Sequence, residues 1–201
     1  MEFRCPIKKP GDWIDLTVEG GEIGREDCQG QWQSAVAGYL NNCTLLDVGA
    51  GLCQSVPRLA VRGIHVTTQD PFPGSPADLN MPVGELVGRC RFDAVTAFDV
   101  LEHVEDQLGF LKTLGKLSSR WVAISTPNYL LSHNSHRFHV RELCPDEIVP
   151  LGLEAGLVAE MAWAQLPGRG VFPVNPSELE GVQDTHGFCV LFRKIPTLTA
   201  N

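Results

Sequence analysis

Apolar positions along the chain fall into short blocks whose period alternates between two and roughly 3.6 residues. Residues 31–40 place Trp32, Ala35, Val36 and Tyr39 on an i, i+3, i+4, i+7 stripe, which predicts a short amphipathic helix. Thr-Leu-Leu-Asp-Val at 44–48 is a compact apolar run ending in Gly-Ala-Gly and reads as a buried strand. A helix follows over 55–62, with Pro57 tolerated in its first turn. Residues 63–70 alternate and are β-branched, and 92–98 repeats the strand pattern. Leu108, Leu111, Leu114 and Leu117 predict a helix over 105–117, and Trp-Val-Ala-Ile-Ser at 121–125 a fourth strand that stops at Thr126-Pro127. Beyond it, 145–155 reads as a helix containing Pro150. Residues 157–164 and 187–194 read as strands joined by a Gly/Pro-rich stretch without helical period. The expected fold is α/β: a parallel sheet with an antiparallel pair at its end.

Length adds one constraint. At 201 residues, one domain spanning 1–201 is expected, with an irregular arm and helix over 1–43 and the α/β core over 44–194. Lys and Arg number 16 against 24 Asp and Glu, a formal charge of −8 that repels phosphate backbones and disfavours a nucleic-acid partner. No run approaches the roughly 18 apolar residues of a spanning helix, so no membrane partner is expected. The cysteines at 5, 28, 43, 53, 90, 144 and 189 are odd in number and contain no CxxC, which reads as free thiols in a reducing compartment. The first residues hold no apolar stretch of signal-peptide length, and a cytoplasmic protein is expected. Oligomeric state is not determined by the sequence.

The chemistry concentrates where the first strand ends. Asp47-Val48-Gly49-Ala50-Gly51 leaves bare backbone at a strand-to-helix turn, where a ligand can lie against amide groups. Asp70 closes the next strand, where an acidic side chain in a doubly wound sheet accepts hydrogen bonds from ribose hydroxyls. Gln54 breaks the GxGxxG fingerprint of dinucleotides, and Asp47 beside the turn disfavours a diphosphate. A cationic adenosyl ligand such as S-adenosylmethionine meets both conditions.

LLDVGAG, QDPF, FDAVTAFDVLEHVED and ISTPN, in this order, resemble the motifs of class I S-adenosylmethionine-dependent methyltransferases from about Leu45 to Lys194. That resemblance implies a Rossmann-like, seven-stranded, mostly parallel sheet with a C-terminal antiparallel hairpin and helices on both faces. It assigns Asp47, Gly49 and Gly51 to the methionine end of the cofactor. Asp70 would take the ribose, Pro71 and Phe72 the adenine face, Asp78 and Leu79 the adenine edge, and Phe98 and Asp99 would close over the methionine. Cys53 stands where the family usually has a third glycine.

On the acceptor side, a hydroxyl acceptor requires a base or a metal. Glu102 and His103 are candidates, with His133, His136 and His139 in the later HNSHRFH segment. A helix starting near Asp99 would put Asp99, Glu102 and His103 on one face, and a loop histidine could complete a mixed oxygen/nitrogen site. The catalytic assignment is His103, Glu102 and His136, with a divalent metal possible but not assumed. The same stretch is similar to small-RNA 2′-O-methyltransferases, which bind magnesium; that likeness implies a metal-assisted RNA alternative. Trp13, Trp32, Tyr129 and Trp163 are pocket or core candidates. The expected reaction is methyl transfer to a small-molecule acceptor, on oxygen. The alternative from another class is a non-catalytic cofactor-binding or partner subunit, for which Cys53 is the motive.

Overall fold

In the computed structural model, residues 3–8, 25–166 and 170–196 are described. Trp13 and Cys28's side chain lie outside that description. The elements run α1 (Arg25–Tyr39), β1 (Thr44–Val48), α2 (Val56–Leu59), β2 (His65–Gln69), β3 (Phe92–Phe98), α3 (Gln107–Leu117), β4 (Ser118–Pro127), α4 (Tyr129–Ser132), α5 (Pro145–Glu154), β5 (Leu157–Leu166), β6 (Gly170–Val174) and β7 (Gly187–Lys194). The strands form a seven-stranded sheet in the order β2-β1-β3-β4-β7-β5-β6. Pairings among β2, β1, β3 and β4 are parallel, whereas β7 runs antiparallel to both β4 and β5, and β6 antiparallel to β5.

Period-two alternation divides the core between the two faces. Leu46, Val48, Val95 and Ala97 pack with Leu111, Leu114 and Leu117 of α3 and Ile148 and Leu151 of α5. Leu45 and Ala94 point the other way, with Trp32, Val36 and Leu40 of α1 and Leu59 of α2. Burial on both faces is why β1 and β4 read as continuous apolar runs rather than clean alternations. Trp32 and Trp163 are core residues on this second face.

Several expected boundaries move. The first helix starts at Arg25 rather than 31, and α2 is a single turn instead of spanning 55–62. The stretch between 164 and 187 contains a further strand, β6, paired with Ala162–Leu166. No helix grows from Asp99: Leu101–His103 is one 3₁₀ turn. Asp99 itself has φ of 52°, a left-handed kink that ends β3 and rules out the helical i, i+3, i+4 face. No helix among the described residues is long and apolar enough to cross a membrane.

Candidate active site

The carboxyl ends of β1 and β2 form one half of the site. Gly49 and Gly51 have φ of 69° and 54°, conformations that L side chains resist. A Cβ on Gly49 would meet Val100 Cγ2 at 2.5 Å, so this glycine is required for close packing under the turn. A Cβ on Gly51 would meet nothing within 4 Å, leaving its backbone open on the outer side. Cys53 has φ of 58°, so the turn keeps the left-handed conformation of a glycine where the family's third glycine is replaced.

Asp70 latches this turn to the next strand. Its Oδ2 accepts from the Gly51 N–H at 2.9 Å and its Oδ1 from the Phe72 N–H at 2.8 Å. The Ser75 hydroxyl donates to the Gly51 carbonyl. A carboxylate offers about four lone-pair sites, so two remain for a ligand. Phe72 is exposed, and Leu52, also exposed, is on the adjoining turn. Pro71 is exposed beside Phe72.

Asp47 sits beneath the turn and is buried. The Ser55 hydroxyl donates to its Oδ2 at 2.5 Å and the Thr96 hydroxyl to its Oδ1 at 2.7 Å. Burial raises its carboxyl above the ordinary value, opposed by those two hydroxyls. Asp78 is turned back onto the protein: its carboxylate accepts from the Thr68 N–H and hydroxyl, both at 2.8 Å. These bonds, the backbone one first, hold its carboxyl below the usual value. Leu79 bridges to Gln69 in parallel, which places it one strand out from Asp70. Phe98 is buried at the end of β3, where the Asp99 carboxylate accepts from the Ser125 hydroxyl at 2.8 Å.

The other half is assembled beyond β3 and β4. Glu102 is fully buried; burial first, then the neighbouring Asp99, push its carboxyl well above the ordinary value. Its Oε2 accepts from the Thr126 hydroxyl at 3.2 Å, while Oε1 has no hydrogen-bond partner. His103 is exposed and places Nδ1 at 2.9 Å from the Phe138 carbonyl. Since a carbonyl only accepts, Nδ1 carries the proton. His139 is buried, its Nδ1 2.5 Å from Glu142 Oε1 and its Nε2 3.9 Å from Glu102 Oε1. Its ring meets that of His103 edge to face at 4.8 Å.

The loop is folded onto the Glu102 turn by its own backbone. The Val140 and Arg141 N–H groups both donate to the Glu102 carbonyl, at 2.7 and 3.1 Å. His136 lies at the outer side, its ring 4.4 Å from His139 and 6.4 Å from His103. The structure therefore brings Glu102 and His103 together and adds His139 and Glu142 as their buried neighbours. His139 stood in the sequence as one of three loop histidines, and Glu142 was missed. The available signal was His-x-x-Glu within the segment, which no helical period marks. A separate cavity of about 580 Å³, between α1, α2 and the β5–β6 edge, includes Arg58, Trp163 and Val171 and shares no lining residue with this site.

Comparison with known proteins decides the family. Residues 9–191 match the methyltransferase domain family. The chain belongs to that family, and to the class I methyltransferase superfamily its motifs resemble. No curated protein sequence matches it. Its fold is similar to that of a 1,6-didemethyltoxoflavin-N1-methyltransferase from Burkholderia thailandensis, solved with 1,6-didemethyltoxoflavin and S-adenosylhomocysteine: TM-score 0.62, 19% identity, 87% of this chain and 82% of that one. The CcbJ methyltransferase of Streptomyces caelestis gives a TM-score of 0.68 at 13% identity, over 88% and 99% of the two chains. The small RNA methyltransferase HEN1 gives 0.67 at 15% identity, covering 92% of this chain but 27% of that one.

Proposed function

We propose that this methyltransferase-family enzyme moves a methyl group from S-adenosylmethionine to an oxygen of a small-molecule acceptor. The observation that supports it most is the Gly51–Asp70 cradle, with open space where a Gly51 side chain would stand and a half-committed carboxylate on the adjoining strand end. These residues fit an adenosyl cofactor. Gly51 leaves room where a Cβ would stand, Asp70 retains two lone-pair sites for ribose hydroxyls, and exposed Phe72 and Pro71 offer an apolar face for the adenine. Asp47, Gly49, Phe98 and Asp99 line the methionine side. Leu79 serves the adenine edge, and Asp78 contributes mainly by holding that edge to Thr68.

When bound, the cofactor supplies an electrophilic methyl group for in-line displacement, so the chain's task is alignment and handling of the acceptor's proton. Glu102, His103 and His136 lie beyond the neighbouring strand ends and are assigned to the acceptor side, Glu102 from a fully buried position. A net charge of −8 favours a small molecule over RNA as acceptor.

Calorimetry with S-adenosylhomocysteine tests the first half. Asp70→Ala is expected to cost about 1.5–3 kcal/mol of that affinity, as lost hydrogen bonds to a charged group do. Unchanged affinity would remove Asp70 from the ribose site, and no binding by the folded wild type would favour a non-catalytic subunit. His103→Ala should lower turnover while leaving cofactor affinity intact.

A further inference from the structure

We propose that the cavity between α1, α2 and the β5–β6 edge is a binding site of its own, built for a small aromatic carboxylate that also carries an N–H or O–H donor. This does not rest on the methyl-transfer reading. The cavity holds about 580 Å³, within the roughly 300–1,000 Å³ range of small-molecule sites. Arg58, Gln31 and Trp163 bring a cation, an amide and an aromatic ring to its walls.

Arg58 gives the cavity its charge. It is the only charged side chain among the described lining residues, in a protein whose formal charge is −8. Its Nη1 donates to the Gln54 carbonyl at 3.3 Å, and the other N–H groups of the guanidinium have no acceptor among the described residues. The guanidinium lies against Gly30 of α1, where an added Cβ would stand 2.7 Å from Nε and 2.9 Å from Cζ. Glycine inside a helix is destabilising, and here it makes room for the cation. A planar fork with donors to spare matches a carboxylate.

Gln31, the next residue, holds an acceptor that the protein leaves unused. Its Oε1 is out of solvent and has no hydrogen-bond partner. It stands against Gly170, where an added Cβ would come within 3.2 Å of it. Gly170 has φ of 78°, a left-handed conformation that glycine adopts freely. A buried amide oxygen without a partner is costly. The terminal torsion of glutamine is soft, so a small rotation presents this oxygen to a donor in the cavity.

The strand side is apolar. Trp163 and Pro173, register partners across β5 and β6, both line the cavity, and an indole beside a proline ring favours an aromatic body. Cross-strand register separates this place from the cofactor cradle. Phe98 pairs with Ser125, Ser125 with Cys189 and Cys189 with Trp163, so Trp163 lies three strands from the end of β3. At about 4.8 Å per strand that is roughly 14 Å.

The test is calorimetry of the full-length protein with indole-3-carboxylate, and with indole and 1-methylindole-3-carboxylate in parallel. One equivalent of indole-3-carboxylate should bind. Indole lacks the carboxylate and the 1-methyl compound lacks the N–H, and each should bind tenfold or more weakly. Arg58→Gln should lose tenfold or more for indole-3-carboxylate and nothing for indole. Gln31→Leu should remove the preference for indole-3-carboxylate over its 1-methyl form, and Arg62→Gln, which removes a cation outside the cavity, should change neither. Indole N–H NMR of the unaltered protein covers the case in which variants fail to fold: indole-3-carboxylate should move the signal of Trp163 and leave that of Trp121. No binding by the folded protein at millimolar indole-3-carboxylate would overturn the proposal. So would binding that S-adenosylhomocysteine displaces, or that survives Arg58→Gln undiminished.

Discussion

The two halves of the site solve the same problem, presenting polar groups in a crevice, in opposite ways. At the ends of β1 and β2 the surface is backbone. Every carboxylate there has its partners: Asp47 takes hydroxyls from Ser55 and Thr96, Asp70 takes two amides, Asp78 is bonded to Thr68. Beyond β3 and β4 the surface is side chains, and a fully buried Glu102 is left with one unsatisfied oxygen between negative neighbours. The first half is built to hold its shape before a ligand arrives. The second holds a carboxyl that burial and negative neighbours push above its ordinary range, the kind of perturbation that clusters at functional sites.

If the first half is a rigid backbone cradle, its weakest points are its glycines, and they should fail differently. Gly49→Ala combines a left-handed backbone with a 2.5 Å approach to Val100. Strain of about 1–2 kcal/mol and overpacking of about 1–3 should together remove about 2–5 kcal/mol of stability. Gly51→Ala carries the same strain but no clash, so it should cost about 1–2 kcal/mol in stability while reducing S-adenosylhomocysteine affinity. Urea melts and calorimetry on the pair check this. Equal stability losses would show that the Val100 contact relaxes freely.

The second half should break at its anchors. Asn128, fully buried at the foot of the histidine loop, donates to the Gln183 and Thr185 carbonyls at 2.7 and 3.0 Å and accepts from the Leu130 N–H. Asn128→Ala strands those groups and should cost about 2–3 kcal/mol. Because the loop carries His103's partner carbonyl, turnover should fall while cofactor affinity holds. A parallel loss of cofactor affinity would mean that the halves are one cooperative unit.

What the sequence revealed follows the same division. The cradle is contiguous: Asp47 to Gly51 is one turn and Asp70 closes the next strand, so the strand–turn–strand order was enough to single them out as candidates. The second half depends on long-range folding. His139 reaches Glu102 across 37 positions only because Val140 and Arg141 bond the Glu102 carbonyl, and no local period encodes that. Asp99's positive φ replaced the expected helix, although an aspartate is among the residues that tolerate such a turn. β6 escaped notice because Pro173 sits in it, and proline is admitted to a sheet chiefly at an edge, where β6 lies.

A smaller effect comes from a carboxylate at the surface of the first half. Asp78 is hydrogen-bonded yet exposed, so Asp78→Ala should cost only about 0.5–1 kcal/mol at neutral pH. Its folded value is lowered, so this stability is present above the unfolded value near ~3.9 and disappears as pH falls through the folded one. Wild type and variant should therefore converge in acid. A gap that persists there would mean that the alanine acts through the backbone rather than the charge.

The finest test of the cradle is Cys53→Gly. Cys53 holds φ of 58° against the preference of any residue with a Cβ, at about 1–2 kcal/mol. Glycine removes that strain but adds unfolded-state entropy worth about 0.4–1 kcal/mol, so the net change should be a gain of about 0–1.6 kcal/mol. Gly51→Ala, two residues earlier at nearly the same φ, should move stability the opposite way. If the strain is purely conformational, cofactor affinity should stay level or rise in Cys53→Gly. A loss of affinity would show instead that the Cys53 side chain contacts the ligand, and that half the cradle is made of more than backbone.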